Sequence, residues 1–219
     1  MPFPSDNNAA ILPVILVQTN APEQKMPLER QLLTDAELWW QTDFLPAPAA
    51  QHWYALLQQQ VNWQQLPIQM FGRVLLQPRL LCWYGDASYT YSKLTLPATP
   101  WPAWLLPLKQ QVEQAVGASF NGVLLNYYRD GQDSMGWHSD DEPELGRDPL
   151  IASVSLGAAR RFTLKHKQQP LKHELLLTDG SLLVMAGHMQ HYWLHALPKM
   201  ARVQDGRINL TFRQIIATP

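Results

Sequence analysis

Residues 126–142 read NYYRDGQDSMGWHSDDE, and the rest of the chain can be interpreted around this stretch. At its centre, His138 and Asp140 are separated by a single serine. Residues i and i+2 of an extended strand point to the same face, so this imidazole and this carboxylate could bind one metal ion together. Upstream, Asn126 and Tyr128 repeat the spacing with neutral hydrogen-bonding groups. The pattern predicts one active site that combines a metal ion with a polar ligand.

The composition of the chain is that of an ordinary globular protein, with 219 residues of which 46% are apolar. Its 17 lysines and arginines nearly balance 18 acidic residues, which does not by itself indicate nucleic-acid binding, although a local basic face would be sufficient. The single cysteine, Cys82, excludes an internal disulfide and fits a reducing compartment. The N-terminal apolar run is short and broken by Pro13, unlike a secretory signal or a membrane span. We therefore expect a soluble, cytoplasmic monomer with no membrane partner.

Helical patterns are confined to the first half of the chain. Thr34 and Glu37 form a capping-box pattern, which predicts a short helix through the tryptophan pair that follows. Apolar spacing and proline punctuation predict two more helices, at about 49–63 and 99–116. We expect residues 1–30 to be a partly ordered extension of one domain at 31–219.

Short apolar runs with turn residues between them predict strands, first between residues 67 and 96 and then throughout the second half. Strands without long helices between them favour an antiparallel barrel or a double-sheet jelly roll over a βαβ fold. The predicted fold class is α+β and mostly β, with a β core at 120–215, either a barrel or a jelly roll, and the N-terminal helices packed outside. The seven segments expected to form this core are FNGVLLNYY, LIASVSLG, RFTLKH, HELLLT, SLLVMA, HYWLHAL and RINLTFRQI.

A metal site of two histidines and one carboxylate needs a second histidine, because such a triad covers one face of an octahedral ion and suits non-haem Fe(II). The candidates are His188, His191 and His195. In a regular strand His191 and His195 would share a face and His188 would point away. This alternation does not choose among the three.

The segment RINLTFR alternates polar and apolar side chains, as expected of a strand with a polar inner face. Arg207 and Arg213 stand at its ends. Two arginines inside a barrel would be costly unless an anion lay between them, and guanidinium groups match carboxylates in bidentate fashion. The pattern therefore predicts a dicarboxylate site, with a solvated sheet face as the alternative.

From about residue 67 to 215 the chain resembles the AlkB family of Fe(II)- and 2-oxoglutarate-dependent dioxygenases, nearest to the members that repair alkylated nucleic acids. The resemblance implies a double-stranded β-helix, which is a form of jelly roll, with base-recognition hairpins before residue 119. The motifs that carry it are YGDASYTY, NYYRDG, WHSDDE, IASVSLGAARRF, DGSLLVMAG, HALPK and RINLTFR.

Site roles follow from this resemblance, position by position. It implies that the iron ligands, which are also the catalytic residues, are His138, Asp140 and His195. It implies that the groups binding 2-oxoglutarate are Asn126, Tyr128, Arg207 and Arg213. The second histidine is His195 in this pattern because it precedes the Leu-Pro pair.

The reaction that the resemblance implies is oxidative demethylation of alkylated bases, chiefly 1-methyladenine and 3-methylcytosine, in DNA with RNA as a further substrate. Fe(II), 2-oxoglutarate and O2 take part, 2-oxoglutarate becomes succinate and CO2, and formaldehyde is released. The damaged base must leave the stack to be reached. The implied substrate-binding residues are Phe71, Tyr89, Tyr91, Asp141 and Glu142.

Each of these substrate-binding residues has its own implied role. Tyr91 would stack on the flipped base, with the His138 ring on the other side of it. Asp141 and Glu142 would lie near the extruded base. Phe71 would enter the duplex as a finger, or would otherwise be a core residue beside a turn. Tyr89 belongs to the same motif, with an ordinary strand aromatic as its alternative reading.

Positive charge is concentrated in one predicted hairpin and shortly after His195, and such clusters can bind phosphates. The turn at 168–170 is short compared with duplex-specific members of the family, so the choice between single and double strands stays open. The basic residues are Arg160, Arg161, Lys165, His166, Lys167, Lys172, Lys199 and Arg202.

Three other functions are compatible with parts of the pattern. The same iron chemistry could act on a protein side chain, a transfer RNA or a lipid. A non-catalytic nucleic-acid binding module would keep only a vestigial iron site. A zinc hydrolase would use the same three ligands but would leave the arginine pair without a role.

Overall fold

The computed structural model describes residues 28–70, 73–91 and 94–216. Most of the expected extension and the candidate finger Phe71 therefore lie outside the described residues. Three helices are present in the described part of the chain: α1 (Ala47–Gln60), α2 (Leu106–Val116) and the single turn α3 (Met189–Tyr192). The strands are β1 (Glu29–Gln31), β2 (Glu37–Gln41), β3 (Pro67–Met70), β4 (Arg73–Leu76), β5 (Leu80–Gly85), β6 (Tyr89–Tyr91), β7 (Leu94–Leu96), β8 (Gly122–Tyr128), β9 (Met135–His138), β10 (Ile151–Gly157), β11 (Arg160–His166), β12 (Lys172–Leu177), β13 (Ser181–Ala186), β14 (Trp193–Leu197) and β15 (Arg207–Arg213).

Two antiparallel sheets form the jelly-roll core, which confirms the predicted fold class. The larger sheet has seven strands in the order β1-β2-β13-β10-β15-β8-β5, and the smaller has four in the order β12-β11-β14-β9. Each of the seven segments predicted after Phe120 contains one of these strands. Two separate hairpins, β3–β4 and β6–β7, lie outside these two sheets, one before and one after β5 in the sequence.

The central strands of the larger sheet are buried on both faces. Every residue of β13 and β15 is buried. On one face Val154, Ile208 and Leu210 pack in the main hydrophobic core with Leu57 of α1 and Leu108 of α2. On the other face the polar residues of β15 line a cavity between the two sheets. The helices therefore cover one side of the sheet, and the second sheet with its cavity covers the other.

The helix predicted after Thr34 is wrong, because residues Glu37–Gln41 form strand β2. Asp35 has a φ of 53°, in the left-handed region that a right-handed helical turn cannot contain. Trp39 and Trp40 instead pair with Val184 and Leu183 of β13. Backbone pairing with the distant strand β13 therefore outweighs the local capping pattern.

The predicted helices at 49–63 and 99–116 correspond to α1 and α2, and α1 packs against β10. Gly117 follows α2 with a φ of 72°, the left-handed conformation in which glycine commonly ends a helix. In the described residues, no helix has the length and apolar character needed to cross a membrane.

Strands from the first half of the chain join the larger sheet in two places relative to the expected boundaries. The boundary at residue 30 falls inside β1, whose pairing with β2 makes Glu29 part of the larger sheet. The core also extends outside 120–215, because β2 and β5 from the first half flank β13 and β8. These additions cover strand edges that would otherwise present unpaired backbone groups.

Candidate metal centre and ligand cavity

Two strands of the smaller sheet bring the predicted metal ligands together. His138 ends β9 and lies opposite His195 of β14 in the antiparallel register, with ring centroids 4.2 Å apart. Asp140 follows two residues after His138. One potential ligand atom from each of the three side chains lies within 4.8 Å of the others. Pairing of β14 with β9 therefore brings together two histidines that are far apart in the sequence.

The protonation of these groups suits a cation. The Nδ1 atom of His138 lies 2.9 Å from the Gly136 carbonyl, which can only accept, so Nδ1 carries the proton and Nε2 carries the lone pair. Burial lowers the pKa of His195 to about 3, so its ring is neutral. Burial alone would raise the pKa of Asp140, but Arg213 and the two imidazoles lower it to about 2. The site presents two neutral imidazoles and one carboxylate.

Two atoms of this group test whether a metal fits. Asp140 Oδ1 and His195 Nδ1 are buried and have no hydrogen-bond partner among the described residues. Buried polar atoms are nearly always satisfied, and a cation would supply the partner that the Asp140 carboxylate oxygen lacks among the described residues. Two histidines and a carboxylate are also the donor set of non-haem Fe(II) sites. The residues present therefore fit the ion.

The other two histidine candidates lie elsewhere. Both His188 and His191 are exposed, and His191 Nε2 lies 3.0 Å from Asp148 Oδ1. The prediction from strand alternation was wrong here, because Met189–Tyr192 form a helical turn and the strand begins only at Trp193.

A cavity adjoins the metal ligands between the two sheets, and all four predicted 2-oxoglutarate residues line it. Asn126 and Tyr128 come from β8, while Arg207 and Arg213 come from the neighbouring strand β15. The Tyr128 ring lies 5.5 Å from the Arg207 guanidinium. The pair Asn126 and Tyr128 and the pair Arg207 and Arg213 therefore line the same cavity.

The two arginines have different partners, although they look equivalent in the sequence. Arg213 Nη2 donates to Asp140 Oδ2 at 2.9 Å, and both side chains are buried. Arg207 Nη2 donates to the Ser155 hydroxyl at 2.8 Å. No carboxylate lies within ion-pair distance of Arg207 in the described parts of the chain, and its Nε is buried without a partner. Burial lowers the Arg207 pKa to about 10, which leaves a buried cation suited to an anionic ligand.

Sequence reasoning missed Arg79 as a residue of this cavity. It is 3% exposed, and its Nε donates to Asn126 Oδ1 at 2.7 Å. This hydrogen bond fixes the orientation of the asparagine amide. A lone arginine after a proline carries no local signal of such a role.

Of the five candidate base-binding residues, the structure describes the side chains of Tyr89, Asp141 and Glu142. Tyr89 is fully buried and stacked on Trp83, and its hydroxyl donates to Glu142 Oε2 at 3.0 Å. Asp141 is exposed and accepts from the Ser139 hydroxyl at 2.8 Å. Tyr91 ends β6, but its side chain, like all of Phe71, lies outside the described residues.

The predicted basic cluster is smaller than the sequence suggests. Arg160 is fully buried and donates to the carbonyls of Asp130, Asp133 and Pro198. His166 is buried as well. These two residues hold loops together and are not exposed to a phosphate backbone.

Gln190 is a second residue that sequence reasoning missed. Its side chain is 1% exposed, and Oε1 accepts the backbone N–H of Asp140 at 2.9 Å. Lys167 Nζ supports the same loop by donating to the Gln190 carbonyl at 2.8 Å and to the Ser139 hydroxyl at 3.0 Å. These hydrogen bonds therefore hold residues 139–140, next to the metal ligand His138, against the turn α3.

Replacing Gln190 with leucine is expected to weaken metal binding roughly 10- to 100-fold, as removal of a group that orients a ligand typically does. Leucine has a similar volume but cannot accept the Asp140 N–H. The affinity for Mn(II), measured by calorimetric titration, checks this result. Gln168→Leu is the matched control because Gln168 is exposed, and equal affinities in the two variants would contradict the role.

The fold and the site together define a jelly-roll protein that binds a metal through two histidines and one carboxylate. A family model described as the 2OG-Fe(II) oxygenase superfamily matches residues 37–213. Alpha-ketoglutarate-dependent dioxygenase alkB homolog 3 of Bos taurus is 46% identical over 153 residues, which cover 65% of this chain and 54% of that protein. DNA oxidative demethylase ALKBH2 of Arabidopsis thaliana is 34% identical over 228 residues, which cover 90% of this chain and 71% of that protein. The chain belongs to the 2OG-Fe(II) oxygenase superfamily and, within it, to the AlkB family.

Two further facts describe the extent of this similarity. The solved structure of OsALKBH1 matches with a TM-score of 0.63 at 17% identity, covering 85% of this chain and 100% of that one, and it supports the fold. The chain spans about half the length of the alkB homolog 3 proteins that it matches.

Proposed function

We propose that the protein is an Fe(II)- and 2-oxoglutarate-dependent dioxygenase that demethylates alkylated nucleic-acid bases. The observation that carries this proposal is the group of His138, Asp140 and His195 beside the buried cation Arg207, which has no anionic partner among the described residues. A metal ion satisfies the first feature and the carboxylate of a cosubstrate satisfies the second. The names of the AlkB relatives, which include a DNA oxidative demethylase, support the choice of substrate.

In this proposal the chain's own residues bind and orient the reactants. His138, Asp140 and His195 hold Fe(II), and the four cavity residues Asn126, Tyr128, Arg207 and Arg213 hold 2-oxoglutarate. Bound Fe(II) and 2-oxoglutarate together supply the activation of O2 for oxidation of an N-methyl group. The overall products are succinate, CO2, formaldehyde and the repaired base.

The substrate side of the proposal rests on charge. 1-Methyladenine and 3-methylcytosine carry positive charge, and a carboxylate is a suitable neighbour for them. The Tyr89 hydroxyl holds the half-buried Glu142 carboxyl group in place. Tyr89 therefore acts in the proposal by positioning Glu142, while Asp141, Tyr91 and Phe71 keep their expected roles at the base and in the duplex. The cytoplasmic location and the monomeric state remain predictions.

A demethylation assay tests the function. Protein with Fe(II), ascorbate and 2-oxoglutarate is incubated with single- and double-stranded oligonucleotides that contain 1-methyladenine or 3-methylcytosine. Release of formaldehyde and of the repaired base is expected, and Asp140→Asn should abolish both. Succinate production without any base repair would instead indicate the same chemistry on another substrate. A folded, iron-loaded protein that produces no succinate would overturn the proposal altogether.

A further inference from the structure

One tryptophan of the chain is exposed. All nine tryptophans lie in the described residues, and eight are buried or half-buried while the Trp137 side chain is 46% exposed. Trp137 immediately precedes His138 on β9, which is an edge strand of the smaller sheet. Because His138 points into the cavity, Trp137 points to the opposite, outward face of that sheet.

The outward face around Trp137 is positively charged. Lys165 Nζ lies 4.5 Å from the centroid of the Trp137 ring. Since β14 lies between β11 and β9, the two side chains meet across the outward face of β14. Lys165 pairs with Lys172 on β12, and Arg161 lies on the same face of β11. Glu174 is the acidic residue of β12 on this face, and none of the three cations has an ion-pair partner among the described residues.

An exposed tryptophan edged by cations is a surface for unpaired bases. Base stacking on an aromatic side chain is independent of sequence, while nearby lysines and arginines follow the phosphates. The Lys165 ammonium group is attracted to the Trp137 ring by a cation–π interaction. A duplex cannot use such a platform in the same way because its bases are already stacked.

We propose that Trp137 and Lys165 form a binding site for single-stranded nucleic acid, taking a nucleotide that flanks the base in the cavity. Trp137 stacks on that flanking base, and Lys165, with Arg161 and Lys172 behind it, binds the phosphates. The site adjoins the metal centre across an edge strand, because Trp137 and His138 are adjacent residues on opposite faces of β9. This inference rests on the proposed function, since it assigns a second binding site to the same substrate strand.

Fluorescence anisotropy with a labelled, lesion-free single-stranded oligonucleotide tests this site without requiring catalysis. Trp137→Ala should weaken binding roughly 5- to 100-fold, as expected when one base no longer stacks, while Trp137→Phe should retain most of the affinity. Lys165→Ala should reduce the slope of log affinity against log salt by about 0.7 for each phosphate that the lysine neutralises in the wild type. With the complementary strand annealed, Trp137→Ala should have little effect.

Lys109→Ala is the matched control. Lys109 also lies over a tryptophan ring, 5.5 Å from the Trp101 centroid, but it is ion-paired with Glu113 at 2.7 Å on α2. This variant should bind like wild type. If wild type binds and repairs oligonucleotides but Trp137→Ala and Lys109→Ala bind equally well, the site is overturned and the proposed function stands. If wild type binds no oligonucleotide, the nucleic-acid substrate is overturned and this site with it.

Discussion

Replacing Asp140 with alanine is expected to destabilise the metal-free protein by about 3–5 kcal/mol, as well as to abolish metal binding and turnover. The Asp140 carboxylate and the Arg213 guanidinium are both buried and are joined at 2.9 Å. Alanine removes the anion and leaves a buried cation without this partner. Urea unfolding in the presence of a chelator measures the change in stability, and succinate production measures the change in turnover.

Asp140→Asn separates the two effects. The amide oxygen can still accept from Arg213, so this variant should lose metal binding and turnover but keep most of the stability. For this reason it is the better control in activity assays. An alanine variant as stable as wild type would show that the Asp140–Arg213 pair contributes little to folding.

Replacing Arg207 with methionine is expected to weaken 2-oxoglutarate binding by about 2–5 kcal/mol, roughly 30-fold or more, because the substitution removes a buried charge-assisted hydrogen bond to the ligand. The metal-free protein should not lose stability. Arg207 is 2% exposed with no anionic partner in the described residues, and replacing buried charges by apolar groups is often neutral or stabilising by about 1–4 kcal/mol. Calorimetric titration with 2-oxoglutarate in the presence of Mn(II), together with urea unfolding, gives both quantities.

Arg213→Met is the matched comparison, since both arginines are buried ends of β15. It should lower stability, because it leaves the Asp140 carboxylate buried and unpaired. If Arg207→Met proves the less stable variant, or binds 2-oxoglutarate like wild type, the assignment of Arg207 as the anion-binding cation is wrong.

Local patterns predicted the second half of the chain well. Seven of the eight strands β8 to β15 were recognised, because hydrophobic runs bounded by turn residues reflect burial between a helical layer and a second sheet, whereas β9 (Met135–His138) was not among the predicted segments. The prediction failed at Trp39, where the capping pattern at Thr34 was outweighed by pairing with β13. It also failed to predict which way the His191 side chain points, because the helical turn Met189–Tyr192 interrupts the alternation of side chains along a strand.

The amino-acid sequence alone predicted the metal-binding pair His138 and Asp140, the polar face of RINLTFR and a β core that is either an antiparallel barrel or a jelly roll. Residue type and short spacing are sufficient for these features. Only the tertiary structure decided that His195 faces His138, since strand pairing between β9 and β14 brings the two rings together. It also decided that Arg213 neutralises Asp140, while Arg207 has no anionic partner in the part of the chain that the structure describes. The physical reason is that the partner of a buried charge comes from a distant strand, and a periodic sequence pattern does not specify it.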